Sequence, residues 1–594
     1  MVADLPSVFS GEGIAFIDPH MLYFKKEING ERTPDPTSSY LWHLAKKKDE
    51  ISRLSHQFEP YVQDLFGITK DTFSQSGGLR GTLFRFPFRQ HDMSSNASSA
   101  NSANLLSTTV YNKEKIQTLV HSLVADGSHV LLFLKNIESI EVYEKHPGSR
   151  PKRFLKVCVE PDHLDAVRVR RKEFQEKVVE SITQDNSVST TYPLAVQLSD
   201  ETDRKTSEIS YWMVSQYFAA KSECKSTETD MKSGYLPLVG VAVKLSVDPD
   251  KKDLCQEVPD GHIFCYLPLP LEKESPTGLR VHVHGCFAVD QNRRHIKWPT
   301  ADQTGPLNDP ALMWNQFLVS SLLPQAMTQL ITFLTQLQQQ NEIAVNALPG
   351  PLKCALEKKA KHNPEYFAWL VYAIIPDVSF VRYQWKALAD AFREVIGRQQ
   401  LFFSPSHPRG RWLHWADTAF DILTKVDEES HLLRTVLYTD NKNLACIPEY
   451  VLKLLPETAA RVTVYEVCKS LLTVQSEMKL SDNDRTILLR YVMNNLSIPQ
   501  DVKHLYGLKL LPLADGTWTA FERPNKEKVY IDSEDHPSRL LPGLESHFLK
   551  VDVVPCKHLA KQGNILLQYY FLFFKQQYFM CLLSVLTMIT RMLH

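Results

Sequence analysis

No charge of one sign dominates this 594-residue chain: 67 Lys and Arg stand against 68 Asp and Glu, a formal net charge of −1. That balance excludes a whole-chain field of the kind that draws proteins to nucleic acid or to acidic membranes. The ten cysteines include no close Cys-x-x-Cys pair. Their scatter reads as reduced, mostly buried thiols in an intracellular protein, not as a disulfide framework or a zinc ribbon. Met1 to Ser10 has neither a basic region nor a long apolar core. No secretory signal is therefore expected, and the cytoplasm is the expected compartment. A Gly-x-Ser-x-Gly nucleophile elbow and a His-Glu-x-x-His zinc helix are also missing, which removes two common hydrolase designs.

What is there is an ordinary globular mixture, 43% hydrophobic and 23% charged. The length is too great for one hydrophobic core and predicts several domains. Tyr40 to Leu65 carries Leu41, Leu44, Ile51, Leu54 and Phe58 at helical spacing. Ser94 to Ser107 is a Ser/Asn/Ala tract that cannot build a core and reads as a surface loop. Ile116, Leu119, Val120 and Leu123 mark one helix face, stopped by Asp126-Gly127. Val130 to Leu134 and Ile140 to Tyr143 read as strands. So do Lys156 to Val159, Tyr192 to Leu198, Ile209 to Phe218, Leu238 to Val247 and Arg280 to Val289. Pro161 to Ile182 is a charged helix expected to lie across that sheet. Beyond Asn308 the pattern turns helical, and strand signals return at Leu511 to Trp518, where Asp515-Gly516 suits a tight hairpin.

Three motifs near the start occur in a telling order. Ser10-Gly11-Glu12-Gly13-Ile14-Ala15-Phe16-Ile17-Asp18-Pro19-His20 is a Gly-rich turn running into an apolar strand. Phe58-Glu59-Pro60-Tyr61 follows, with Phe66-Gly67 behind it, and then Gly81-Thr82-Leu83-Phe84-Arg85-Phe86-Pro87-Phe88-Arg89. The last alternates aromatic and polar residues as a strand does. In this order they resemble the sacsin-type repeat module, which is related to the N-terminal domain of the ninety-kilodalton heat-shock chaperones. Phe264 to Pro270, Leu279 to Phe287 and Leu511 to Leu544 resemble later parts of that module, so the likeness runs from Ser10 to about Gly563.

The resemblance implies an α+β multidomain chain. Its parts are a partial GHKL-type (heat-shock-chaperone-like) α/β sandwich over residues 1–150 and an α/β middle domain over 151–305. A mainly helical domain over 306–500 and a small β-containing segment over 501–563 follow. An apolar tail, 564–594, departs from the pattern; interrupted by Lys575, it makes a poor bilayer span, so a membrane anchor is not expected.

An ATP site of this chaperone class needs a helix with a Glu that activates water and an Asn that holds magnesium, an Asp-x-Gly-x-Gly turn for the base, and a final Gly-Thr strand. Only Gly81 and Thr82 correspond, as a remnant of the nucleotide pocket, and no Asp-x-Gly-x-Gly precedes them. The expectation is a fragment that lacks the start of the nucleotide domain, takes no cofactor and is not an enzyme. ATP and magnesium enter only if further sequence completes the site, and an ATP-dependent chaperone is then the alternative; a non-catalytic scaffold is another. The resemblance further implies partnership with the seventy-kilodalton heat-shock machinery and with folding clients in protein quality control.

Other candidates have plainer readings. Ser10-Gly11-Glu12-Gly13 lacks the Lys and the helix start of a phosphate loop, and reads as a turn leading into a strand. Arg293-Arg294 could sense a phosphate in an intact module, but as a pair on a loop it reads as a solvated turn. His282, His284 and Cys286 share one strand face without a fourth ligand, so packing is preferred over a metal site. Asp18-Pro19-His20 reads as a fixed turn. Arg168, Arg170 and Arg171, close to Asp165, Glu173 and Glu176, read as a solvated helix face and not a nucleic-acid stripe. The aromatic run Tyr366, Phe367, Trp369, Tyr372, Phe380, Tyr383, Trp385, Phe402, Phe403, Trp412 and Trp415 could line a client groove; helix-packing core is the preferred reading.

Overall fold

A computed structural model describes residues 7–11, 13–17, 26–28, 31–33, 39–43, 46, 79–85, 112–146, 149–200, 206–227, 235–246, 260–270, 276–299, 309–362, 365–406, 410–422, 428–440, 443–495, 504–521, 530–531, 543 and 545–550. The protein is mixed α+β and divides into two compact units. The first comprises Met1–Leu131, Asn136–Glu160 and Val196–Ser210; the second comprises Leu132–Lys135, Pro161–Ala195 and Tyr211–His594.

In the first unit, β1 (Ser7–Gly11) and β2 (Gly13–Ile17) form an antiparallel hairpin in which Ser10 faces Gly13. A small hairpin, β3 (Lys26–Ile28) and β4 (Glu31–Thr33), follows. β5 (Ser39–His43) then pairs with β2, and β6 (Leu79–Arg85) pairs with β1, giving the antiparallel order β5-β2-β1-β6. The helix expected to start at Tyr40 is thus a strand at its beginning. Ser39-Tyr40-Leu41-Trp42-His43 has the aromatic content and two-residue alternation of a strand, and pairing with β2 overrides the longer helical spacing. α1 (Lys113–Asp126) starts where the Asn112 side chain accepts from Lys115 N at 3.0 Å. It ends at Gly127, where a Cβ would lie 2.8 Å from Leu198 Cδ1. Three strands complete this unit: β7 (Ser139–Glu144), β8 (Lys152–Val159) and the end of β9 (Val188–Asp200), all antiparallel.

Between α1 and β7, residues 130–134 are fully buried, but their backbone makes turns and bends and no strand. A five-residue apolar run signals burial; it does not choose the backbone conformation.

In the second unit the sheet order is β13-β12-β14-β11-β10-β9, formed by β10 (Thr206–Phe218), β11 (Leu238–Leu245), β12 (Ile263–Cys265), β13 (Leu267–Pro268) and β14 (His282–Gly285). β14 is only four residues of the longer strand expected from Arg280 to Val289. α2 (Leu164–Gln184) sets Phe174 against Phe218 and Leu238. On β11 packs a long helix in three parts: α3 (Pro310–Phe317), a π-helical turn over Leu318–Leu322, and α4 (Leu323–Gln338). Pro324 supplies no N–H and its ring crowds the preceding turn. The helix widens there, and Leu323 N–H bonds Leu318 O, five residues back.

This helix, Pro310–Gln338, is the one among the described residues long and apolar enough to cross a bilayer, but 61% of its apolar window is buried inside the protein. It is the spine of a core shared with α5 (Tyr366–Ile374) and α6 (Lys386–Arg398). A second cluster joins α7 (Glu428–Thr439), α8 (Val464–Val474) and α9 (Asp482–Asn495). α8 opens on a reciprocal cap: Glu466 N donates to Thr463 Oγ1 at 3.4 Å and Thr463 N to Glu466 Oε2 at 3.0 Å. Two pairs of short strands, at 402–404 with 411–413 and at 419–422 with 444–447, lie among these helices. The Asp515-Gly516 hairpin forms as read: Leu511 and Pro512 pair with Thr519 and Trp518, Gly516 has φ +86°, and Asp515 accepts from Thr517 N.

Candidate functional site

In the first unit the β1/β6 ladder brings two of the three opening motifs together. Ser10 faces Thr82, and Gly11 faces Leu79. Arg80 and Gly81 therefore have no partner position on β1, and β6 bulges at Arg80-Gly81, just before Thr82. Glycine suits such a bulge. Thr82 is exposed. The four strands of this sheet carry no Asp, Glu, Asn or Gln. The described strands around Gly81 and Thr82 therefore offer a magnesium ion hydroxyl and main-chain oxygens but no carboxylate. The Phe58 to Gly67 motif, Asp18-Pro19-His20, the Ser94 to Ser107 tract and the tail 564–594 lie outside the described residues.

In the second unit the strand β14 uses its polar side chains internally. His282 Nδ1 accepts from His262 N at 2.9 Å, and its ring packs on Trp212 and Phe264. His284 is fully buried, stacked on Phe133 and against Tyr266. Its Nδ1 lies 3.3 Å from Tyr266 N and 3.2 Å from Phe264 O, so a neutral ring serves one of them at a time. Cys286 Sγ lies 3.6 Å from Tyr266 Oη, and Cys286 O accepts from Trp314 Nε1 at 2.9 Å. Burial pushes the His284 pKa down to about 4; the Phe264 carbonyl opposes this and the Lys135 charge adds to it. Burial likewise raises the Cys286 thiol. Burial thus favours the neutral forms of His284 and Cys286.

Arg293 and Arg294 sit on an exposed turn that Asp290 closes, accepting from Arg294 N at 2.8 Å; that bond, ahead of His295, holds the Asp290 carboxyl below its ordinary range. Arg168 and Arg170 pair on the exposed face of α2 with Asp165 and Glu173 at 3.1 and 3.2 Å. Arg171 departs from the solvated face assigned to it. It is buried, its Nε donating to Tyr192 Oη at 3.5 Å, because it points at the sheet alongside Phe174 and Val178.

The aromatic run resolves mostly as core. Tyr366, Phe367, Tyr372, Trp385, Phe402, Phe403 and Trp412 are buried, and Trp369 and Trp415 pack partly against them. Phe380 and Tyr383 do not join them. With Val378 they stand 50%, 60% and 37% exposed on the loop between α5 and α6. This exposure does not reflect a loose backbone. Asp377 accepts from Ser379 N at 3.0 Å and from the Ser379 hydroxyl, and its carbonyl accepts from Phe380 N and Val381 N at 3.0 Å. The other carboxylate oxygen meets Arg280 at 3.5 Å, the two side chains being 6% and 5% exposed. Arg280 Cζ also lies 4.8 Å from the centre of the Tyr450 ring, and Tyr450 Oη donates to Tyr372 O at 2.8 Å. Gly278, at φ +76°, lets the loop close: a Cβ there would lie 2.1 Å from Phe380 O. Sequence reasoning missed this site because Arg280 and Asp377 are separated by 97 residues.

The comparisons with known proteins agree with the motif order. Residues 1–156 match the Sacsin domain family. Human sacsin is 28% identical over 571 residues, a match that covers 93% of this chain and 11% of sacsin's own length. The chain carries a sacsin-type region and spans about a tenth of the length of the relative it matches.

Two outcomes follow from the geometry. Asp377→Asn removes the carboxylate that meets the buried Arg280 guanidinium, and should lower unfolding stability by about 1–3 kcal/mol in urea titration. The paired replacement Arg280→Met with Asp377→Leu should cost much less. For His284, the unfolded chain takes a proton near 6.5 while the folded chain withholds it until about 4. Stability is therefore complete above pH 6.5 and lost as pH falls through that window, by about 3 kcal/mol at the acid end. His284→Phe should flatten this limb of the melting temperature measured from pH 7 to pH 4.

Proposed function

We propose that this chain acts as a sacsin-like chaperone or co-chaperone in cytoplasmic protein quality control, through protein–protein contacts and without hydrolysing ATP on its own. The observation that carries this reading is the exposed apolar loop of Val378, Phe380 and Tyr383, anchored by a buried ion pair, in a chain with a sacsin-type region. Large apolar side chains held outward by a rigid backbone bind unfolded segments at low entropic cost, since the loop is already ordered. Folding clients and the seventy-kilodalton heat-shock machinery are the proposed partners. The first unit, on this reading, keeps a chaperone-type nucleotide fold in which Gly81 and Thr82 remain without the chemistry of a phosphate site.

The purified chain should slow aggregation of a heat-denatured client protein, and Phe380→Ser with Tyr383→Ser should lose most of that protection with an unchanged circular dichroism spectrum and melting temperature. Equal protection by the double variant would overturn the loop's role. Isothermal calorimetry with ATP and magnesium should give no saturable heat in the micromolar range. Micromolar binding, accompanied by phosphate release, would move the reading to an ATP-dependent chaperone.

A further inference from the structure

A cavity of about 170 Å³ lies beneath α2 in the second unit. Phe174 and Val178 form one wall, and Tyr192, Gln216, Phe218 and Leu238 form the other, with Phe133 at the end. Val179 and Leu236, at 67% and 44% exposed, line it as well, so it opens to solvent past apolar side chains. Two cationic residues line it: Arg171, only 7% exposed, and Lys135, whose Nζ lies 5.4 Å from the centre of the Tyr266 ring. None of the described residues that line it is acidic.

We infer that this cavity binds a small carboxylate carried on a single aromatic ring or a short branched chain. Volume sets the size. An apolar cavity of about 150 Å³ holds a benzene ring, whereas sites for drug-sized ligands begin at about 300 Å³. Charge sets the head group. A guanidinium presents a planar fork of N–H donors that matches a carboxylate in two parallel hydrogen bonds. Arg171 Nε lies 3.5 Å from Tyr192 Oη, which holds the guanidinium toward the sheet side. Lys135 adds a second positive charge, and the Gln216 amide supplies both a donor and an acceptor on the sheet side. A neutral hydrocarbon would fill the apolar walls but make no use of the two cations. A cation would be repelled. This site is independent of the exposed loop and of the chaperone reading.

The test uses the full chain and three probes of equal shape: benzoate, benzamide and benzamidine. Saturation-transfer NMR and thermal shift should show benzoate binding with a dissociation constant on the order of 1 mM or below, the range open to so few atoms. Benzamide should bind at least tenfold more weakly and benzamidine not at all. Arg171→Met should weaken benzoate at least tenfold, and Val178→Phe, which fills the cavity with carbon, should abolish binding while the chain stays folded. Equal affinity for benzoate and benzamide in the unmodified chain would overturn the inference. So would benzoate binding retained in Val178→Phe, or no benzoate binding at all at 10-fold the expected constant; these arms hold even where Arg171→Met does not fold.

Discussion

A buried charge must be answered where it lies, and the Arg280–Asp377 pair shows how much structure that requirement organises. Arg280 leaves the sheet region just before β14; Asp377 begins the loop after α5. Both side chains are buried, so removing either takes an opposite charge from the other in a low-dielectric interior. Their meeting therefore fixes the loop against the 277–281 segment, and the Tyr450 ring over the guanidinium extends the arrangement to the region of the short strands. The resulting loop is held from below while its apolar side chains face water.

Elsewhere in the interior of the second unit, several buried polar side chains are satisfied by main chain. Asn315 is the fullest case. Its amide donates to Ala288 O and Lys297 O at 2.8 and 2.9 Å and accepts from Ala288 N at 2.8 Å, which registers α3 on the hairpin after β14. Trp314 bonds Cys286 O from the next position. His282 and His284 are committed to backbone groups of the neighbouring strand segment. A buried donor or acceptor left unmet costs more than a made bond contributes. Each of these bonds therefore specifies an arrangement more than it strengthens one, and the residues of β14 that look reactive in sequence are spent on architecture.

Where the chain could be read from sequence, the cause is local. The 3.6-residue pattern gave away α1 and most of the long helix from 310 to 338, a charged helical stretch gave away α2, and alternation or β-branched content gave away β9, β10 and β11. Asp515-Gly516 announced its hairpin because few residues tolerate a positive φ. Misreadings arose where tertiary contact decides. Residues 130–134 are apolar enough for a strand and buried as deeply, yet no partner strand pairs with them among the described residues. Arg171 follows Arg168 and Arg170 in a charged helix and nothing nearby in sequence marks it as the one that turns inward. Of the aromatic run, only Phe380 and Tyr383 are strongly exposed, and that difference depends on Asp377 finding Arg280, a contact with no signature in local spacing.

The anchored loop separates two properties that proteins usually have to trade against each other. Arg280, Asp377 and Gly278 determine where the backbone runs, and their substitution disturbs folding. Phe380 and Tyr383 keep half or more of their surface in water, although the Phe380 ring also lies 5.9 Å from Arg280 Cζ. Mutational drift at these outward positions can therefore retune which surfaces the loop meets while leaving the scaffold untouched. A series of related modules built on this plan could diversify their preferences one side chain at a time, with the glycine and the ion pair held constant beneath them.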